Sequence, residues 1–187
     1  MANPGCFPTA AILALAPLAP YLQDVVIDAK TGVSGAGREA TDKTHFVAVA
    51  ENVKAYGVGR HRHMPEIDQG LARAGAQGIL AAFTPHLVPV DQGELLSCYL
   101  TLNADVDVHA AYDMAYADEP FVEVVDRVPG MRDVRETNRC DIHVHEDVRT
   151  GKVFVFAAID NLWKGTSSQA IQNLNLMLGF DETAGLR

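Results

Sequence analysis

Cys6 is the residue whose surroundings in this sequence most clearly suggest chemistry. It follows Gly5 and comes just before a run of strong helix formers that begins near Pro8. A cysteine in that position faces the unpaired N–H groups and the positive dipole end of the helix. The helix would therefore lower the pKa of the thiol and make Cys6 a nucleophile. The alternative is a buried structural cysteine, which we expect for Cys98 and Cys140 because both lie in strand patterns.

A second group of reactive side chains, His61-Arg62-His63, stands just before a predicted helix. A neutral histidine is the usual partner of a cysteine nucleophile, first as base and later as acid. The arginine could bind an anionic oxygen through two parallel hydrogen bonds. The alternative is a polar turn that only starts the helix, since two histidines at this spacing are a weak signal.

A glycine-rich segment, KTGVSGAGR over residues 30–38, has a basic residue at each end. Successive backbone N–H groups in such a turn can form a concave anion site, to which Arg38 would add positive charge. The segment lacks the lysine and hydroxyl ending of a P-loop, and it does not have the spacing of a dinucleotide fingerprint. The alternative is a flexible turn without a ligand.

Cys140, His143 and His145 have the residue types of metal ligands but not a suitable arrangement. In the strand predicted over 140–147, alternation puts both histidines on one face and Cys140 on the other. A single site that uses all three side chains would need a broken strand. We therefore predict no metal site in this chain.

The composition is that of an ordinary globular chain with an acidic surface. Its 187 residues include 15 basic and 24 acidic side chains, which gives a formal net charge of −9. Such a surface repels nucleic-acid phosphates and anionic membranes, so a small anionic substrate would need a locally positive pocket. The three cysteines cannot all pair, and no basic segment of a secretory signal precedes the first apolar run. We therefore expect a cytoplasmic protein.

Hydrophobic periodicity predicts an α+β domain with a mixed, largely antiparallel sheet and helices packed on one face. Segment 46–56 is ambiguous between helix and strand, and the prolines at positions 85 and 89 should end a strand. The turn at Thr150-Gly151 predicts a hairpin between the last two strands. The predicted helices span 8–18, 66–75, 108–116 and 165–178, and the predicted strands span 25–29, 78–83, 87–88, 94–108, 122–125, 140–147 and 152–159.

Six blocks of the sequence, taken in order, resemble the N-acetyl-gamma-glutamyl-phosphate reductases of arginine biosynthesis. The run NPGCFPT matches the active-site signature of that family, and HRHMPEI and the amide-rich last helix match two further blocks. The related aspartate-semialdehyde dehydrogenases share the overall organisation of the chain but not this set of sequence blocks. The blocks are NPGCFPTA (3–10), TGVSGAGR (31–38), HRHMPEI (61–67), FTPHLVP (83–89), EPFV (119–122) and DNLWKGTSSQAIQNLNLMLG (160–179).

The resemblance implies an NADPH-dependent reduction of N-acetyl-L-glutamyl 5-phosphate to the 5-semialdehyde, with release of phosphate. Cys6 matches the family cysteine that attacks the acyl phosphate and forms a thioester. His63, with His61 as the second choice, matches the family histidine that transfers protons. The resemblance also makes Ser34, Gly35 and Asn173 candidate contacts of NADP, and it makes Arg38 and Arg62 candidate contacts of the anionic substrate.

The resemblance further implies a division of the chain. Residues 1–163 would form the catalytic and dimerisation domain, with the fold of the C-terminal domain of glyceraldehyde-3-phosphate and aspartate-semialdehyde dehydrogenases. Residues 164–187 would form a helix that packs against an NADP-binding domain. Because this sequence lacks the dinucleotide fingerprint of the family, we expect a fragment of a longer reductase that is inactive alone and forms a homo-oligomer through its sheet. The family's KGAAGQA is KGTSSQA at 164–170, which loses one glycine.

Two other functions stay open at the level of sequence. The chain could be a non-catalytic dimerisation or interaction module that needs a separate cofactor domain. It could also be a hydrolase that uses Cys6 and His63 without a cofactor. Activity restored by adding a cofactor domain would favour the reductase, whereas enzymatic hydrolysis rates, above about 1 per second, would favour the hydrolase.

Overall fold

The computed structural model describes residues 1–187 and contains one mixed sheet of seven strands. The strands are β1 (Leu22–Thr31), β2 (Lys54–Ala55), β3 (Ala82–Leu87), β4 (Glu94–Leu102), β5 (Val122–Val124), β6 (Cys140–Asp147) and β7 (Lys152–Ile159). Their order across the sheet is β2-β3-β1-β4-β7-β6-β5. β1 pairs in parallel with β3 and β5 pairs in parallel with β6, whereas the other neighbouring pairs are antiparallel. The predicted fold class is confirmed.

Five α-helices accompany the sheet. They are α1 (Cys6–Leu15), α2 (Phe46–Val49), α3 (Met64–Ala74), α4 (Val108–Tyr116) and α5 (Ser168–Leu178). Helix α4 and strands β6 and β7 have the bounds that periodicity predicted, because the spacing of their apolar residues is unbroken. A π-helical turn over Trp163–Ser167 leads into α5. None of the helices has both the length and the apolar composition that crossing a bilayer requires.

The first helix differs from its prediction at both ends. α1 begins at Cys6, so the cysteine belongs to the first turn of the helix and does not precede it. The α-helix ends at Leu15, and the chain continues as a 3₁₀ helix over Ala16–Tyr21. This segment contains Pro17 and Pro20, whose missing N–H groups cannot continue an α-helical ladder. The prediction that the helix is buried all round is confirmed for most of its length.

Strand β3 runs through Pro85, which the sequence predicted would end a strand. Pro85 lies opposite Ala29 of β1, and its carbonyl oxygen accepts a hydrogen bond from the Tyr56 N–H at 3.0 Å. On the other side of β3, the edge strand β2 pairs only with His86 and Leu87. The missing N–H of the proline therefore interrupts no antiparallel ladder. The prediction of a break at Pro85 is therefore wrong.

Alternation along the central strands separates a covered face of the sheet from an open face. Ile27, Cys98 and Val155 lie side by side on the covered face and are fully buried beneath the helices. Their sequence neighbours point the other way, where Tyr99 stands opposite Phe154 with ring centroids 5.2 Å apart. The open face thus carries half-buried aromatic side chains that no helix covers.

Helix α4 is attached to α1 by two tyrosine hydroxyls. Tyr112 donates a hydrogen bond to the carbonyl oxygen of Ala14, and Tyr116 donates one to that of Leu13. Both carbonyls lie in the last turn of α1, where the helix itself provides no partner. The two bonds therefore fix the C-terminal end of the helix whose other end holds Cys6.

Replacing Tyr112 by phenylalanine should lower the free energy of unfolding by about 1–2 kcal/mol, because a buried carbonyl oxygen loses its donor. Denaturant unfolding followed by circular dichroism measures this change. Tyr21→Phe, at a half-buried tyrosine whose hydroxyl has no partner in the chain, is the matched control. Equal unfolding midpoints for the two variants would contradict a stabilising role of the Tyr112 hydroxyl.

Candidate active site

The geometry around Cys6 is built on Gly5, the N-cap residue of α1. Gly5 has extended backbone angles, and its carbonyl oxygen accepts hydrogen bonds from both the N–H and the hydroxyl of Thr9, at 3.0 and 2.9 Å. No side chain caps the free N–H groups of the first turn. On the other side, a methyl group at Gly165 would lie 2.7 Å from the Cys6 Cβ. The cysteine is therefore held between the helix start and the π-helical turn.

The start of α3 packs directly against this helix start. Glu66 accepts a hydrogen bond from the Gly5 N–H at 3.1 Å, which ties the two segments together. A methyl group in place of the Gly5 hydrogen would lie 2.5 Å from His63 Nε2. The imidazole therefore touches the glycine that precedes Cys6. Of the two histidines considered, His63 has the direct contact with the cysteine loop.

His61 lies behind His63 in a set of aromatic rings. Its ring centroid is 5.5–5.6 Å from those of Phe7, Tyr56 and Phe83. Its Nδ1 accepts a hydrogen bond from the His63 N–H at 3.2 Å, which places the proton of the neutral ring on Nε2. His61 thus supports the backbone of His63, and the aromatic rings hold His61 in place.

Both histidines are held in their neutral form. Burial lowers the pKa of His61 to about 4, with smaller contributions from His63 and Arg62. Burial and the neighbouring Arg62 also lower the pKa of His63. The His63 Nδ1 atom is buried and has no hydrogen-bond partner. At neutral pH, His63 is therefore an uncharged imidazole with unused hydrogen-bonding capacity beside Cys6.

The thiol of Cys6 has a raised pKa, so the predicted lowering is wrong. Burial is the larger cause, and the neighbouring Glu94 carboxyl adds to it. The backbone N–H groups of Cys6 and Phe7 act in the predicted direction, but they are outweighed. A helix terminus contributes only a partial charge, whereas loss of water disfavours a full thiolate charge.

A cavity of about 480 Å³ opens at Cys6. Three cationic side chains and one carboxylate line it, namely Lys43, Lys54, Arg62 and Asp42. The wall is therefore locally positive in a chain whose net charge is −9. Its other lining residues include Cys6, Gly35, Thr41, Thr44, Asn52, Tyr56, His61 and His63. This volume and charge suit a small anionic molecule.

Comparison with known proteins identifies the family of this chain. The family model described as "Semialdehyde dehydrogenase, dimerisation domain" matches residues 6–161, which is most of the chain. The chain belongs to this family. Aspartate semialdehyde dehydrogenase II from Vibrio cholerae superposes with a TM-score of 0.76 over 96% of this chain and 62% of that chain. At 19% identity, that likeness concerns the fold alone.

Two curated members are much closer in sequence. The N-acetyl-gamma-glutamyl-phosphate reductase of Desulforudis audaxviator is 51% identical, over 100% of this chain and 56% of that protein. The enzyme of the same name from Clostridium novyi is 44% identical, over 98% of this chain and 55% of that protein. The chain thus spans about half the length of the curated relatives it matches. The resemblance drawn from six sequence blocks is confirmed.

The remaining candidate residues of this family member lie around the cavity at different distances. Gly35 lines it, whereas Ser34 stands behind and accepts a hydrogen bond from Asn161 Nδ2 at 3.0 Å. Asn173 is half-buried and donates a hydrogen bond to Asn3 Oδ1 at 2.8 Å, next to the cysteine loop. Arg38 is exposed and does not line the cavity. The binding roles of these residues stay predictions.

The glycine-rich segment does not form the concave anion site that its composition suggested. The N–H groups of Gly32, Val33 and Ser34 donate to the carbonyl oxygens of Gly93, Val90 and Asp91, at 2.9–3.0 Å. These donors are therefore already used, and the segment forms a 3₁₀ turn over Val33–Ala36. What the turn offers a ligand is the bare backbone of Gly35.

The predicted separation of Cys140 from the two strand histidines is confirmed. Cys140 is fully buried on the covered face of β6. His143 lies on the open face, where its Nδ1 is 2.8 Å from the Val125 carbonyl oxygen, and His145 is exposed. The three side chains therefore do not converge on one point.

Sequence reasoning missed two side chains near Cys6. Tyr56 lines the cavity, and burial together with Cys6 raises the pKa of its hydroxyl. Glu94 is fully buried at the start of β4. A signal for Glu94 was present, because it shares the strand alternation of Leu96 and Cys98 and so had to point into the core. Nothing in the sequence marks Tyr56, which an irregular segment brings to the site.

Proposed function

We propose that this chain provides the catalytic and dimerisation part of an NADPH-dependent N-acetyl-gamma-glutamyl-phosphate reductase, a cytoplasmic oxidoreductase of arginine biosynthesis. The observation that carries the proposal is the contact of His63 with the Gly5-Cys6 loop beside a cavity walled by cationic side chains. The two curated reductases, similar over nearly the whole chain, support the choice of substrate. An acyl phosphate is a small anion, which this cavity suits.

Cys6 performs the first chemical step. Its sulfur attacks the acyl carbon, a C–S bond forms, and the C–O bond to phosphate breaks with the electron pair leaving on the phosphate. Lys43, Lys54 and Arg62 are the groups we assign to the charge of the substrate. The free N–H groups at the start of α1 favour negative charge at the attacking sulfur and the carbonyl oxygen.

His63 is the second catalytic residue in this proposal. A neutral imidazole can accept the proton of the thiol or donate a hydrogen bond to the carbonyl oxygen of the substrate. Contact with Gly5 keeps the Nε2 atom next to the cysteine loop. We assign His61 a positioning role, because its Nδ1 is used by the His63 backbone and its ring is enclosed by aromatic side chains.

The residues around the cavity fit the reactive end of a nicotinamide cofactor. Gly35 presents bare backbone, and a side chain there would meet Thr31 Oγ1 at 3.3 Å. NADPH would supply the hydride that reduces the thioester, with Ser34, Gly35 and Asn173 as candidate contacts. Cys6 then leaves the reduced carbon as the C–S bond breaks and the aldehyde forms. No glycine-rich fingerprint for the rest of the dinucleotide occurs in this sequence, so a further domain would hold it.

Helix α5 offers a surface for such a domain. Ile171, Leu174, Met177 and Leu178 are between 43% and 57% exposed, which is unusual for large apolar side chains on one helix. We therefore assign residues 1–163 to catalysis and dimerisation and residues 164–187 to packing against the cofactor domain.

The direct test is acylation of the thiol. The chain is mixed with N-acetyl-L-glutamyl 5-phosphate, alone and with a separately produced cofactor domain of a related reductase. We expect one acyl group on Cys6 by mass spectrometry, one phosphate released per chain, and NADPH oxidation only when the cofactor domain is present. Aspartyl 4-phosphate is the comparison substrate. Failure to acylate Cys6 in either mixture, or equal acylation by both substrates, would contradict the proposed function.

The open face of the sheet is the surface we assign to self-association. Phe154 and Tyr99 lie at its centre, and the matching family model describes a dimerisation domain. Phe154→Glu should convert the oligomer to monomer, because an ionised side chain would be buried at the interface. Phe46→Glu, at an aromatic that is 83% exposed away from this face, is the control. Light scattering after gel filtration measures the mass, and an unchanged mass for Phe154→Glu would contradict the assignment.

A further inference from the structure

A second cavity, of about 210 Å³, lies between α1, α5 and the chain that leads into β5. None of its lining residues lines the cavity at Cys6. Its apolar lining comes from Ile12, Leu13, Phe121 and Val122, and its one cationic lining residue is Lys164. The space is therefore separate from the catalytic cavity and has room for a small organic molecule.

Lys164 is a buried cation that the chain leaves without a direct counter-ion. The residue is 2% exposed, and no carboxylate oxygen lies within 4.0 Å of its ammonium. The ammonium donates one hydrogen bond, to Gln172 Oε1 at 2.7 Å, and stands 5.4 Å from the centre of the Phe121 ring. Since an ammonium has three N–H donors, two of them meet no acceptor in the chain. Lysines buried to this degree are normally paired.

The groups that flank the ammonium place it at the wall of the cavity. Gln172 and Phe121 both line this cavity, as does Lys164 itself. Gln172 Oε1 also accepts a hydrogen bond from Asn138 Nδ2 at 2.8 Å, so both of its lone pairs are used. The cavity is therefore the place where the two unused donors of Lys164 can find an acceptor.

The other charges near Lys164 do not replace a counter-ion. Gln172 stands between Lys164 and Glu182, because its Nε2 donates to Glu182 Oε1 at 2.6 Å. Glu119 lines the cavity but is exposed, so water screens its charge. The third titratable neighbour is the buried thiol of Cys140, from β6. Burial lowers the pKa of Lys164 to about 8, as expected for an ammonium without a close anion.

We propose that this cavity binds a small aliphatic carboxylate, which pairs with the ammonium of Lys164. The two carboxylate oxygens supply the acceptors that the unused N–H donors lack. A short apolar tail would contact Ile12, Leu13 and Val122. A doubly charged ion such as phosphate suits the site less, because the wall offers it one cation and mostly apolar surface. The proposal does not depend on the proposed function.

The site adjoins both of the segments that hold Cys6. Lys164 precedes Gly165, at which an added methyl group would lie 2.7 Å from the Cys6 Cβ. Pro4, which also lines the cavity, precedes Gly5, the N-cap of α1. A bound carboxylate would therefore touch the start of the helix and the π-helical turn together without entering the catalytic cavity.

The test is a titration of the chain, carrying ¹³C-labelled methyl groups, with butyrate and with its neutral isostere butyramide, followed by NMR. Butyrate should shift the methyl resonances of Ile12 and Val122 until they saturate, with a Kd of about 1 mM, which six heavy atoms can reach. Butyramide should bind about tenfold more weakly, because it has the same shape but no charge to pair with Lys164. The methyl resonances of Val49, which lines the catalytic cavity, report binding there separately.

Two lysine variants separate the two cavities. Lys164→Met keeps the apolar stem of the side chain but removes the ammonium, and it should abolish the shifts of Ile12 and Val122. Lys54→Met removes a cation of the catalytic cavity and should leave those shifts unchanged. If Lys164→Met fails to fold by circular dichroism, the wild-type chain supplies the answer through pH. Affinity for butyrate should fall about tenfold per pH unit above about pH 8, where the ammonium loses its proton.

The proposal would be overturned by the absence of saturable shifts at Ile12 and Val122, or by equal shifts with butyrate and butyramide. Shifts that persist in folded Lys164→Met, or an affinity that does not change between pH 7 and pH 10, would also overturn it. Movement of Val49 alone would assign the butyrate to the catalytic cavity and would have the same consequence. Because the titration needs neither acyl phosphate nor NADPH, these outcomes are independent of whether the proposed reductase activity is observed.

Discussion

Replacing Cys6 by alanine should abolish formation of the acyl-enzyme and lower reductase turnover, assayed with a cofactor domain, by about 10⁴-fold or more. The reason is chemical, because alanine offers no atom that can form the covalent bond to the acyl carbon. Acyl transfer is followed by mass spectrometry and turnover by the absorbance of NADPH. Cys6→Ser should also fail to acylate, since a hydroxyl is a far weaker nucleophile at neutral pH.

The matched control makes the same substitution at a cysteine of the core. Cys98 is fully buried on the covered face of β4 and does not line the cavity. Cys98→Ala should lower the stability of the chain slightly, by a small cavity, while acylation at Cys6 continues. Acylation that persists in Cys6→Ala, or that is lost in Cys98→Ala when that variant is folded, would contradict the assignment of the nucleophile.

Replacing Gly5 by alanine should reduce turnover about 100-fold, although alanine removes no reactive group. The added methyl group would lie 2.5 Å from His63 Nε2, a separation that atoms do not tolerate, so the imidazole must move away from Cys6. The backbone angles of Gly5 are open to any residue, and the variant should therefore fold. Steady-state turnover with acyl phosphate, NADPH and a cofactor domain measures the effect.

A glycine with similar freedom but no catalytic neighbour provides the control for this variant. A methyl group at Gly130 would meet only an Asp133 oxygen, at 3.6 Å, which is ordinary contact. Gly130→Ala should retain nearly full turnover. If Gly5→Ala were as active as Gly130→Ala, the imidazole of His63 would not need its present position, and its catalytic role would be wrong.

The sequence predicted the regular part of this fold well, for a physical reason that particular elements make clear. In β6 and β7, apolar and polar residues alternate without interruption, and the bounds predicted from that pattern match. At Pro85 the prediction is wrong, because whether a missing N–H matters depends on which strand lies beside it, and this is a property of the sheet. The start of helix α1 was predicted two residues too late, because Gly5 serves as N-cap without a recognisable side chain.

The candidate site, like the fold, could be predicted from the sequence only in part. Cys6 and His63 were found because their residue types and their neighbours in sequence are informative. The direction of the shift in the Cys6 pKa was wrong, because a helix dipole can be anticipated from sequence, whereas burial and a carboxyl from another element cannot. Glu94, the buried carboxyl that adds to this rise in pKa, is separated from Cys6 by more than 80 residues of sequence.

The contacts around Cys6 also determine when its environment can form as the chain folds. Asn3 is joined to Thr166 and Asn173 across 163 and 170 residues of sequence, and Gly5 is joined to Glu66 across 61. Contacts of such long separation form late, after the loops between them have closed. On a growing polypeptide, Cys6 therefore stays an exposed thiol with ordinary acidity until the π-helical turn docks. Protection of this sulfur from oxidants consequently depends on completion of folding.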